Sequence, residues 1–268
     1  MKIGPETEPT TAISTSNTQT IVVRGYDLTR ELVGSISFTA HYWLLLTGHL
    51  PNEAQRNLLD AVLVSIAEHG LVPSVQAARF TLAAAPEALQ GAVAAGLLGC
   101  GSVILGSAQI AGELLNHVSK LGSERGLEAA ARERVKELRA ARQAIPGFGH
   151  PLHKDGDPRV HRLFEVAAAL GTAGPHIEAA RAIEKVLPEL TGKGLRLNVS
   201  AAIPAVLLDA GYPLLALKGA PLLARAAGLI GHLLEEQMHP IGFRMSHAAA
   251  AAIQYNGRTP AGFVADED

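Results

Sequence analysis

Prolines divide most of this chain into pieces of helix length. Pro51, Pro73, Pro86, Pro158, Pro175 and Pro221 each open a run rich in apolar residues, and proline suits the first turn of a helix but not its interior. From Pro51 to about His69, Leu58, Leu59, Val62, Leu63 and Ile66 share one helical face. Similar spacing predicts helices over 73–84, from 86 onward, and over 158–170, 175–187, 199–210 and 221–237. Residues 30–47 read as a helix stopped at Gly48, with Pro51 beyond. No strand alternation stands out. Aromatic residues make up only 4% of a chain that is 48% hydrophobic, which favours closely packed helices over a sheet. The predicted fold is all-α.

Several function classes are disfavoured. Net charge is −2 and no basic run is present, so nucleic acid is not an expected partner. The single cysteine, Cys100, rules out an internal disulfide framework and suits a reducing cytoplasm, the expected location. Between apolar and glycine neighbours, it reads as a buried, inert thiol. The Thr/Ser-rich N-terminus through about Gln19 lacks the apolar core of a signal peptide and reads as a flexible arm. Residues 91–112 carry no charge and are long enough to cross a bilayer. Their six glycines and lack of charged flanks instead predict a buried helix or helix pair, so no membrane partner is expected. The alternating charges over 123–143 read as a solvated helix face.

The chemistry concentrates in one stretch, Pro146-Gly147-Phe148-Gly149-His150 through Asp157-Pro158-Arg159. Glycine and proline shape an unusual loop with His150 at its tip. A histidine can move a proton near neutral pH, and an arginine fork fits a carboxylate. The stretch reads either as a surface turn or as a site for an acidic substrate whose reaction needs proton transfer. His150, His153 and His161 with Asp155 and Asp157 match no zinc spacing and lack the ligands of a calcium loop, so no metal is expected. Arg225 lies in an otherwise apolar helix. It either snorkels to solvent or pairs with a buried ligand carboxylate.

At these residues the chain resembles the citrate synthase superfamily, from about Ile21 onward. Arg24-Gly25-Tyr26-Asp27-Leu28 is similar to the family's N-terminal Arg-Gly-Tyr segment, and Leu44 through Pro51 to its Leu-Leu-x-Gly-x-Leu-Pro helix end. Glu68-His69-Gly70 resembles the segment that supplies a citrate ligand, and Gly147 through Arg159 the family signature. Ala224-Arg225-Ala226-Ala227-Gly228 resembles the helix carrying a citrate-binding arginine. The resemblance implies a helical homodimer with a large domain (20–111 and 215–268) and a smaller, mobile one (112–214), after an arm at 1–19. It assigns His150 to the oxygen of the four-carbon acid, and His69, Arg159 and Arg225 to its carboxylates. Arg244, or His239, would enter the site from the partner subunit. The backbone of Ile145, Pro146, Gly147, Phe148 and Gly149 would line the coenzyme A pocket.

Two positions depart from the pattern. Ile104 stands where the family's first catalytic histidine falls, and Ser200 follows Asn198-Val199 where the family has its catalytic aspartate. Serine lacks comparable basicity. A non-histidine at the first position, together with Ala216-Leu217-Lys218-Gly219 and Gly228 through Leu233, resembles the citryl-CoA lyase branch, including the corresponding module of ATP-citrate lyase. The expected function is citryl-CoA lyase-like, joining or parting a keto acid and acetyl-CoA, with His150 and Ser200 at the reacting centre. The alternatives are a binding or regulatory protein that keeps the citrate or coenzyme A site without turnover, or a lyase or synthase for another acyl-CoA.

Overall fold

The computed structural model describes residues 9–101, 105–149 and 156–263. Eleven α-helices are present among them: α1 (Phe38–Thr47), α2 (Glu53–Ala67), α3 (Pro73–Ala84), α4 (Leu89–Leu98), α5 (Ser107–Arg125), α6 (Leu127–Ala140), α7 (Pro158–Ala169), α8 (Pro175–Thr191), α9 (Val199–Asp209), α10 (Gly219–Met238) and α11 (Gly242–Ala252). The fold is all-α, as the sequence implied. Within the uncharged stretch 91–112, residues 91–98 belong to α4 and 107–112 to α5.

Two local expectations are corrected. The sequence predicted one helix over 30–47, but Leu28–Leu32 forms a single π-type turn and α1 starts only at Phe38. The Ser37 hydroxyl accepts from Ala40 N–H and sets that start. A small antiparallel sheet also precedes the helices, with β1 (Ser14–Ser16), β2 (Ile21–Val23) and β3 (Tyr26–Asp27) in that order. Residues 14–16, expected in a flexible arm, therefore pair with β2. Arg24 and Gly25 both take positive φ, 50° and 90°, as a two-residue hairpin of mirror-image type requires. Arg24 then donates to the Leu45 carbonyl, tying the hairpin to α1.

Contacts group the chain into two units, 1–69 with 100–226, and 70–99 with 227–268. Residue 112, where the sequence placed the start of the smaller domain, lies inside α5. In the first unit α9 is the central helix, buried along nearly its whole length and packed by α5, α7, α8 and α2. Gly112 lets α5 approach it, since a β-carbon there would lie 3.1 Å from Cβ of Pro204. Aspartates hold both ends of α9. Asp209 accepts from Gly174 and Ile177 N–H, fastening the end of α9 to the start of α8. Asp157 does the corresponding work at the other end.

In the second unit α3, α4 and the later part of α10 share a core of Val75, Ala78, Leu82, Ala92, Leu229 and Leu233. Buried Arg79 pairs there with Glu236 at 2.9 Å and with Glu235. Glu236 also accepts from Ile241 and Gly242 N–H, where α11 begins. By length and apolar content Leu214–Met238 could cross a bilayer. Its Glu235 and Glu236 nonetheless pair with Arg79 within the fold.

Candidate functional site

The loop at 145–149 is built onto the start of α9. Asn198 N–H donates to the Gly147 carbonyl at 2.9 Å and Gly149 N–H to the Arg196 carbonyl at 2.6 Å. Asn198 Nδ2 donates to the Gly149 carbonyl at 2.5 Å. Gly147 and Gly149 hold φ near 85°, a region that costs most other residues strain. A β-carbon at Gly147 would also lie 3.0 Å from Ala201 N and Cα. Ile145, Gly147 and Phe148 are buried, with Pro146 and Gly149 partly so. His150 and Ile104 lie outside the described residues.

Asp157 connects this loop's far end to the same helix. Its carboxylate, 4% exposed, caps α7 through Arg159 N–H and accepts from Val199 N–H at 3.1 Å. Arg159 grips it with Nε and Nη2. Burial alone would raise the acid's pKa, but the hydrogen bond and charge of Arg159 outweigh it and hold Asp157 below its ordinary value. Nη1 of Arg159 has no partner among the described residues. Beside this joint lies a depression of about 310 Å³, lined in part by Val160, Phe164, Arg181, Arg196 and Leu197. The Arg181 guanidinium lies over the Phe164 ring, 5.6 Å from its centroid.

Ser200 stands in the first turn of α9, one residue beyond Val199. Asn198 caps that helix by accepting Ser200 N–H at 2.9 Å. The Ser200 hydroxyl accepts from the hydroxyl of Ser107, first residue of α5, at 3.0 Å. No sequence motif points to Ser107. The asparagine before an apolar run was the one local signal of this capped helix start.

Arg225 presents a different picture. It is 2% exposed, yet its Nε and Nη1 have no hydrogen-bond partner among the described residues. Nη2 reaches only the Ile66 carbonyl at 3.5 Å, the outer limit of a useful bond. Arg225 thus meets the end of α2, and exposed His69 follows Ile66 by three residues. Snorkelling, one of two readings open from sequence, does not describe a side chain this buried. The described contacts therefore form two groups. The loop, Arg159 and Ser200 gather at the start of α9, and Arg225 sits at the end of α2. Arg244 and His239 are exposed, Arg244 on α11 and His239 just before it, and neither side chain forms a hydrogen bond or ion pair among the described residues.

The chain matches the family model described as citrate synthase, C-terminal domain, over residues 53–244, and it belongs to that family. Among solved structures it is similar to citryl-CoA lyase from Hydrogenobacter thermophilus. The two are 32% identical with a TM-score of 0.84, over 96% of this chain and 98% of that one. ATP citrate lyase from Methanosaeta concilii, solved with (3S)-citryl-CoA, shares the fold at 24% identity and a TM-score of 0.78, over 97% of this chain and 43% of that one. Citrate synthase from Haloferax volcanii is 28% identical over 75% of this chain and 52% of its own length. The chain spans about half the length of the curated relatives it matches.

Proposed function

We propose that this protein makes or breaks the carbon–carbon bond between the keto carbon of an acid such as oxaloacetate and the α-carbon of an acyl-coenzyme A thioester, in the manner of a citryl-CoA lyase. The observation that carries the proposal is Arg225, a buried guanidinium with two unpartnered nitrogens. An unpaired buried charge costs several kcal/mol, roughly, unless a counter-charge arrives, and a carboxylate matches the fork in shape and sign. Nη1 of Arg159 is a second cationic donor available to such an acid. The glycine-shaped backbone of 145–149 and the depression lined by Arg181 and Arg196 suit the adenine and phosphates of coenzyme A. His150, carried over from the family signature, handles the hydroxyl proton as the carbonyl forms. Arg244 is assigned to the site of a second subunit in a homodimer.

Purified protein given citryl-CoA should release oxaloacetate, followed by coupled oxidation of NADH. Both His150→Ala and Arg225→Ala should lower that rate at least about a hundredfold. No release above background would end this reading.

Ser200 favours a second reading, a binding protein that holds citrate or coenzyme A without turnover, since no carboxylate bonds to either serine hydroxyl among the described residues. Calorimetry separates the two. Tight citrate binding with no turnover of any related acyl-CoA, and activity gained in Ser200→Asp, would select it.

A further inference from the structure

Ser107 and Ser200 come from helices 93 positions apart and meet hydroxyl to hydroxyl at 3.0 Å. The shared bond uses one of the pair's two hydroxyl protons. With Ser107 as the donor, the Ser200 proton is left for another acceptor, since each hydroxyl has a single proton to give. The pair is partly buried, and among the described residues no base is hydrogen-bonded to either hydroxyl. The carboxylate that accepts from the neighbouring Val199 N–H, Asp157, is gripped by Arg159 and has its pKa held below the ordinary value. A carboxylate so stabilised is a poor base.

We propose that Ser107 is a positioning residue for Ser200, and that the pair holds the acyl group of the thioester by hydrogen bonding rather than by taking its proton. This rests on the carbon–carbon bond reading above. In the cleavage direction the electron pair of the breaking bond passes to the α-carbon of the acyl group and is shared with the thioester oxygen as an enolate. Ser200, aimed by Ser107, donates to that oxygen and stabilises the developing charge. Water supplies the proton to the carbon. The hydroxide left behind takes up the proton that the substrate hydroxyl releases as it becomes a carbonyl, so atoms and charge balance.

The test uses the full chain with carboxymethyl coenzyme A in the presence of oxaloacetate, by calorimetry in two buffers of different ionisation enthalpy. The wild type should bind without net proton uptake, because neither hydroxyl titrates. Ser107→Ala should weaken binding about fivefold to tenfold, the loss of the one ordinary hydrogen bond that aims Ser200. Oxaloacetate affinity should not change, and Ser107→Thr should restore tight binding. Ser200→Asp should take up close to one proton on binding. Unchanged affinity in Ser107→Ala, failure of threonine to rescue, or proton uptake by the wild type would each overturn the assignment. A wild type that binds oxaloacetate but not the coenzyme A analogue would instead bring down the carbon–carbon bond reading itself, and the pair's role with it.

Discussion

The guanidinium of Arg159 and the carboxylate of Asp157 face each other fork to fork, with nitrogen–oxygen distances of 2.9 and 2.8 Å. Because Asp157 also accepts from Val199 N–H, the pair joins α7 to the start of α9 and so fixes Ser200 relative to the signature arginine. Removing one member of a buried pair costs about 3 kcal/mol or more. Asp157→Ala should lose roughly that much in urea unfolding.

The same pair sets an acid limit. The pKa of Asp157 is lower folded than unfolded, so its stabilising contribution is complete above the ordinary carboxylate range and drains away as pH falls through the lowered value. Asp157→Asn should therefore flatten the acid side of the stability profile relative to wild type. An identical slope in both proteins would show that Asp157 does not carry it.

Arg225 sets stability against function. Replacing an unpaired buried charge with an apolar side chain of similar length is neutral or stabilising, by about 1–3 kcal/mol. Arg225→Met should raise the melting temperature of the unliganded protein. It should also abolish the further rise that saturating citrate gives the wild type. Differential scanning calorimetry with and without citrate reads both effects.

Gly147 combines a positive φ with close contact to Ala201. Gly147→Ala should displace the loop from α9, at a cost of about 1–3 kcal/mol. Coenzyme A binding should fall more than oxaloacetate binding, since Arg225 belongs to the other group of contacts. Parallel titrations with each ligand check the ratio.

Along α10, Ile230, Leu234 and Met238 are 54%, 58% and 64% exposed at four-residue spacing, an apolar stripe. A homodimer would cover such a stripe. Sedimentation equilibrium should show a dimer for the wild type and a monomer for Leu234→Glu, with the helical circular dichroism spectrum retained.

The sequence by itself determined the helices and the family. Proline at helix starts, as at Pro73, Pro158 and Pro175, is a local effect of a fixed φ and a missing N–H, so it can be read without knowing what packs where. The glycines of the 146–149 loop are legible for the same reason. The hairpin at Arg24-Gly25 and the delayed start of α1 were missed, because short strands gain their stability from pairing rather than from residue preference. Only the tertiary structure decided the charges and partners. It showed that Arg225 is buried without a counter-ion, that Arg159 already holds Asp157, and that Ser107 meets Ser200. Ser107 and Ser200 are 93 positions apart and Arg225 and Ile66 are 159. The hold of Arg159 on Asp157 is local but matters because Asp157 also binds Val199, 42 positions on. Local sequence encodes none of these long-range contacts.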